Sequence, residues 1–161
     1  IWYELMTTDA EASQRFYGPM LGWKFGGDPG YRHIEGSEGG VGGILPLTAE
    51  MSSGGARPGW FGYITVDDVD RMAASVEDGG GKVLWTARDM ENVSRIAMVS
   101  DPQGVPFYIM TPQPPADRAD AESHAFSYDR PRVGHCAWNE LSTTDPDAAK
   151  QFYGQRFGWV K

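Results

Sequence analysis

From Trp2 to Thr7 the chain alternates: Trp2, Glu4 and Met6 fall on one side and Tyr3, Leu5 and Thr7 on the other. A period of two predicts a strand whose faces meet different surroundings. Thr8 and Asp9 supply a helix start. Beyond them the period lengthens, with Ala12, Phe16 and Met20 at i, i+4 and i+8, which predicts an amphipathic helix carrying those three as its inward stripe. Gly18 and Gly22 close the helix before Trp23. Trp23–Phe25, Tyr31–Glu35 and Val41–Pro46 then read as short strands, separated by glycine-rich turns over 26–30 and 36–40. Residues 1–46 therefore spell β-α-β-β-β, and Leu47 to Gly59 reads as a polar connection.

The same order follows with little identity. Trp60–Val66 is a strand; Asp67 or Asp68 caps a helix carrying Val69, Met72, Ala73 and Val76, and Gly79-Gly80-Gly81 ends it. Lys82–Trp85 is a strand, and Ser94–Val99 and Val105–Met110 form a hairpin around Asp101-Pro102-Gln103-Gly104, where proline presets the first turn centre and glycine takes a positive φ. From Thr111 to Arg132 the prolines Pro112, Pro114, Pro115 and Pro131 mark a linker with little to bury. Then the opening returns. At an offset of 136 residues, Trp2–Trp23 and Trp138–Trp159 share 12 of 22 positions, among them Thr-Thr-Asp, Phe-Tyr-Gly and Gly-Trp. A long fixed offset means a duplicated structural unit, and the second copy is expected to form a strand from Val133 followed by a helix.

Charge and composition narrow the partners. The net charge of −8 comes from 22 acids against 14 bases without a basic cluster, which argues against a nucleic-acid or anionic-membrane surface. Cys136 is the lone cysteine, so no intrachain disulfide forms and a reducing cytoplasm is the default localisation. No apolar run approaches a membrane span, and no signal peptide is visible. Because the chain opens on Ile1 inside a strand, the natural N-terminus is expected to lie upstream. The glycine clusters lack the order of a phosphate loop and fit turns, a helix end and close sheet packing.

The first strand ending in Thr-Thr-Asp9, the helix ending Phe16-Tyr17-Gly18 and Leu21-Gly22-Trp23, the strand running into Val66-Asp67-Asp68-Val69, and Asp101-Pro102-Gln103-Gly104 before the last strand together resemble the vicinal oxygen chelate superfamily. That superfamily includes glyoxalase I, extradiol dioxygenases, fosfomycin and bleomycin resistance proteins, and hydroxylase-like proteins. The resemblance covers 1–112 and 133–161. It implies an α+β fold in which paired βαβββ modules form a curved mixed-sheet cup. It also implies tandem domains: a complete one over 1–112 (modules 1–46 and 60–110), a linker over 113–132, and the start of a second, incomplete one over 133–161. Such a lone β-α opening has to dock on the first domain, pair with another copy as a homodimer, or stay unpacked. The family's metal enzymes hold a divalent cation by a His early in each module's first strand and a Glu late in each last strand, where it acts as a Lewis acid. At the matching positions this chain has Trp2, Phe61 and Tyr108, with the fourth near Gly43 or Ile44. The resemblance thus implies no metal cofactor in the first domain.

Trp2 and Phe61 are candidate ligand contacts, an aromatic floor for a flat molecule, or else core packing. Glu4 shares their face, where a carboxylate is costly unless paired or used as an acid or base, and is the candidate catalytic residue; its recurrence as Glu140 fits a structural pairing with an Arg equally. Tyr63 and Tyr108 either present hydroxyls to a ligand or bury their rings. His33 and Glu35 share a strand face with Tyr31; with Glu4 they form an alternative metal set, and otherwise a solvated strand edge in which His33 remains a ligand contact. His124 and His135 are expected to be exposed, and Cys136 an idle thiol. The resulting expectation is a protein that takes a small apolar or aromatic molecule into its cup without metal in the first domain. The alternative is a hydroxylase-, lyase- or isomerase-like enzyme of the same superfamily in which Glu4 is the acid or base, or in which the chemistry sits in the second, incomplete domain. Glyoxalase I activity does not fit the substituted ligand positions.

Overall fold

The alternating opening forms strand β1 (Tyr3–Thr7), and Asp9 turns the chain into helix α1 (Ala10–Leu21) by accepting a hydrogen bond from the Ala12 amide at 2.8 Å. Gly22, at φ +69°, ends the helix in the left-handed region that favours glycine. These elements come from a computed structural model that describes residues 2–91, 93–114, 117, 123–126, 129–130 and 132–160. Pro115 and Pro131 of the expected linker lie outside the described residues. The chain divides into two units, Ile1–Gly62 with Glu122–Asn139 and Tyr63–Ala121 with Glu140–Lys161.

In the first unit β1 and α1 are followed by β2 (Lys24–Asp28), β3 (Tyr31–Gly36), β4 (Gly39–Pro46), a short helix α2 (Ala49–Ser53) and the first half of β5 (Gly59–Thr65). The hydrogen-bonded order is β2-β3-β4-β1-β5, with β1 parallel to β4 and every other pair antiparallel. β2 runs on through Gly26 and Gly27, so the expected turn over 26–30 shrinks to Pro29-Gly30, held by the Asp28 carboxylate accepting from the amides of Gly30 and Tyr31. The stretch expected to be a plain connection contains α2, because Thr48 caps it by accepting from the Met51 amide. Leu5, Ile34, Val41 and Ile44 form the core, with Ala10, Tyr17, Trp23 and Phe25 packed on it.

The expected inward stripe of α1 is wrong. Phe16 is 61% and Met20 57% exposed, while Ala10 and Tyr17 face the core. Since 100° separates consecutive residues on a helix, choosing Tyr17 over Phe16 rotates the buried face by one position. Two contacts fix that choice. Ser13 Oγ bonds Thr7 Oγ1 at 3.1 Å, and Tyr17 packs against Trp23 with ring centroids 5.7 Å apart.

The second unit runs from the rest of β5 through α3 (Val69–Asp78), β6 (Lys82–Met90), β7 (Ser94–Ser100) and β8 (Pro106–Pro112) to α4 (Pro146–Phe157). Its order is β5-β8-β7-β6, with β5 parallel to β8. The βαβββ sequence thus occurs twice. Asp68 caps α3, accepting from the Arg71 amide. In the β7–β8 turn buried Asp101 accepts from the amides of Gln103 and Val105, both at 2.9 Å, and Gly104 sits at φ +86°. Val66, Val69, Ala73, Val76, Ala97, Val99, Phe107 and Ile109 form a core that also takes in Ala149, Phe152 and Tyr153 of α4.

The repeated segment keeps its helix and loses its strand. Asp145 caps α4, accepting from the Ala148 amide, and Pro146 opens it. Residues 133–144, however, pair with no described strand; Cys136 makes one isolated bridge with Phe126. A stretch without a ladder partner leaves its amides and carbonyls to water or side chains and does not count as a strand. Glu140, which copies Glu4 in sequence, is exposed as a result.

Candidate functional site

Glu4 sits in the middle of β1, opposite Gly43 of β4 and Phe61 of β5, and is only 3% exposed. Side chains directly opposite in neighbouring strands share a sheet face, so Glu4, Phe61 and the position of Gly43 lie together. Gly43 has no side chain to fill its place. Tyr31 of β3 does so: a Cβ on Gly43 would run into the Tyr31 hydroxyl and ring. Gly40 likewise leaves room for the indole of Trp2, which approaches its Cβ position to 3.2 Å. Two glycines of one strand thus let two large rings approach its backbone closely.

The rings and the carboxylate are joined. Trp2 Nε1–H donates to the Tyr31 hydroxyl oxygen at 2.9 Å. An indole nitrogen can only donate, so the Tyr31 proton is left for the Glu4 carboxylate, to which it is hydrogen-bonded. Burial raises the Tyr31 pKa and the Glu4 charge raises it further; the Trp2 donor lowers it, and the hydrogen bond to Glu4 raises it by less than either the burial or the charge. Tyr31 is therefore a neutral donor across the physiological range. His33 stands edge-on to Tyr31, with centroids 5.4 Å apart, and is exposed. Trp2, Glu4, His33 and Phe61 are thus gathered in the first unit. Tyr31, which organises them, was not singled out by sequence reasoning; the signal was its period-two spacing from His33 beside a strand rich in glycine.

In the second unit Tyr63 and Tyr108 are register partners and stack, at 4.2 Å and 14°, both buried. Trp85 meets Tyr108 edge-on at 6.4 Å, and the Arg88 guanidinium lies 3.2 Å above the Trp85 ring. Neither Trp85 nor Arg88 carried a motif that would have marked it in sequence.

Other candidates fall elsewhere. His124 is exposed, its Nδ1 against the Glu38 carbonyl, whereas His135 is half-buried, contrary to expectation. It packs on Gly36, with Nδ1 2.7 Å from the His124 carbonyl oxygen. The half-buried Cys136 thiol donates to the Trp138 carbonyl at 3.2 Å. Among the described residues no three His, Cys, Asp or Glu side chains come together as a metal site, so Glu4, His33 and Glu35 do not form the alternative set. The positions where the superfamily pattern places cation ligands hold two rings without donor atoms, Trp2 and Phe61, and a phenol stacked on its neighbour, Tyr108. These positions do not fit a divalent ion.

The βαβββ order, present twice, defines the fold class. The chain belongs to the Glyoxalase/Bleomycin resistance protein/Dioxygenase superfamily, whose family model matches residues 1–109. Among curated proteins it is 33% identical over 162 residues to "Putative glyoxylase CFP32" of Mycobacterium bovis, covering 94% of this chain and 57% of that one. It is 28% identical over 172 residues to the anthracycline biosynthesis protein DnrV of Streptomyces peucetius, covering 98% and 59%. The chain therefore spans less than two thirds of the length of these relatives. Among solved structures the homoprotocatechuate 2,3-dioxygenase of Brevibacterium fuscum, in complex with 3,4-dihydroxyphenylacetate, shares the fold at TM-score 0.51 and 19% identity, covering 70% of this chain and 36% of that one.

Proposed function

We propose that the chain binds a small, flat, apolar or aromatic molecule on the face formed by Trp2, Tyr31, His33 and Phe61, with Glu4 as its polar anchor and, in an enzymatic form, its base. One observation carries this reading: a carboxylate 3% exposed, held by the hydroxyl of a tyrosine that is itself held by an indole. Burying a carboxylate costs several kcal/mol unless it is bonded or used. The rings offer broad apolar contact with little side-chain entropy to lose. The name of DnrV supports a planar polycyclic ligand.

In this reading the Tyr31 hydroxyl, donating to Glu4, fixes the carboxylate in orientation. A ligand hydroxyl that displaces the phenol from Glu4 meets a carboxylate ready to accept its proton. The alternative, a hydroxylase-, lyase- or isomerase-like activity, uses that step and nothing more of this chain. The tandem organisation, with 133–161 opening a second domain, belongs to the same proposal.

The test is tryptophan-emission titration with two probes, a commercial anthracycline and 3,4-dihydroxyphenylacetate. Saturable quenching is expected with at least one, weakened tenfold or more in Trp2→Ala, which removes a ring and a hydrogen bond together. Glu4→Gln separates the readings: a binder loses affinity, whereas an enzyme keeps binding and loses turnover. Quenching by neither probe, with the protein folded, would count against the site.

A further inference from the structure

The duplicated segment gives one sequence in two environments. Phe152 of α4 is 4% exposed; its counterpart Phe16 in α1, 136 residues earlier, is 61% exposed. In the second unit α4 lies against α3. Ala149, Phe152 and Tyr153 join the core with Val69, Ala73 and Val76, and Arg156 Nε donates to the Ser75 carbonyl at 2.9 Å near the end of α3. Tyr153 also stacks on Trp159 at 5.6 Å and 7° and donates to Asp101 at 3.1 Å. In the first unit the matching rings cluster in the same way, Tyr17 with Trp23, and Trp60 beside both at 5.6 and 5.9 Å. The Gly134 carbonyl accepts from the Trp23 indole at 2.6 Å, but Phe16, Met20 and Trp60 are all exposed.

We propose that this face of α1 is the seat of a helix of the α3 type, carried by a further βαβββ module in the longer protein of which these 161 residues are a part. The docked twin shows which surface this motif fits: a helix with Val, Met and Ala at the spacing of Val69, Met72, Ala73 and Val76. A second copy of this chain does not supply that surface, because its own α3 is already covered by α4. The relatives that match almost the whole chain have 41–43% of their length outside the match, ample for the missing module. The proposal rests on the repeat and does not depend on the ligand reading.

The test places Phe16→Asp with Met20→Asp in both the 161-residue chain and the full-length gene product. In the short chain the face is open to water, so the melting temperature should move by less than about 2 °C. In the long protein it should fall by about 10 °C, as burial of a large ring is lost. Met20→Arg alone should be tolerated in the long protein, since Arg156 occupies the matching place in α4 and bonds the opposing helix. Equal shifts in both proteins, or no shift in the long one, would overturn the proposal. So would a dimer of the short chain that the double substitution dissociates, which would make a second copy the occupant, or a gene product that ends within the repeat.

Discussion

At the scale of single residues the molecule turns on Tyr31 and the glycine beneath it. A methyl on Gly43 meets the Tyr31 ring and hydroxyl, so Gly43→Ala should push the phenol off Glu4. The expected cost is about 1–3 kcal/mol in urea unfolding, with weaker probe binding. Tyr31 also sets a pH dependence. Burial raises the pKa of Tyr3, Tyr31 and Tyr153, with Asp101 adding to Tyr153 and Glu4 to Tyr31. In the unfolded chain tyrosine ionises near pH 10. Above that value the unfolded state sheds protons that the folded state keeps, so stability should fall with rising pH beyond about 10 and stay flat with respect to these groups below it. Tyr31→Phe should make the alkaline fall of the melting temperature shallower; an unchanged slope would show that Tyr31 does not titrate as argued. Glu4 was legible as a buried carboxylate because it alternates in step with Trp2. Its partner was not, because Tyr31 reaches it from a different strand, across a glycine.

Among the elements, α1 and α4 make the clearest comparison. Phe152→Ala empties a place in a packed core and should cost about 3–5 kcal/mol, whereas Phe16→Ala in the 161-residue chain should fall within about 0.5 kcal/mol of wild type. Paired chemical unfolding of the two variants checks this, and comparable losses would mean that α1 is packed differently. Both helices begin as their sequences require, at Asp9 and Asp145, each accepting from an amide three residues on. Starts are local chemistry and are readable. Which face turns inward is not: the i, i+4, i+8 stripe of Ala12, Phe16 and Met20 competes with Tyr17 one step round, and the Ser13–Thr7 contact and the Trp23 ring decide between them. The missing strand before α4 has a similar cause, since alternation supplies a strand's faces but not its neighbours.

For the molecule as a whole, the repeated βαβββ order and the superfamily could be read from motifs, because caps, turn residues and the Phe-Tyr-Gly…Gly-Trp signature are all short-range, whereas β6 runs five residues beyond the expected Lys82–Trp85. The two units have different cores. The first buries four apolar side chains in its central cluster and the second eleven, three of them from α4. Opening free energy follows buried contacts, so amide exchange should be slowest in α3, β7 and β8 and faster throughout the strands of the first unit, as mass-spectrometric exchange would show. Probe binding that slows exchange in β1, β3 and β4 would place the ligand with Glu4 and Tyr31. None of the helices is long and apolar enough to cross a membrane among the described residues, and the charge of −8 makes anion-exchange retention, with no affinity for heparin, the expected chromatographic behaviour.

Strand β4 reads Gly-Gly-Val-Gly-Gly-Ile-Leu-Pro, a stretch of little chemical variety. Gly39 lies at φ +116°, Gly40 underlies Trp2, Gly42 abuts the Tyr3 carbonyl and Gly43 carries Tyr31. In a saturation-mutagenesis map this seemingly permissive run should be among the most intolerant positions in the chain, each glycine failing for its own steric reason. Low complexity in the alphabet here is high constraint in space.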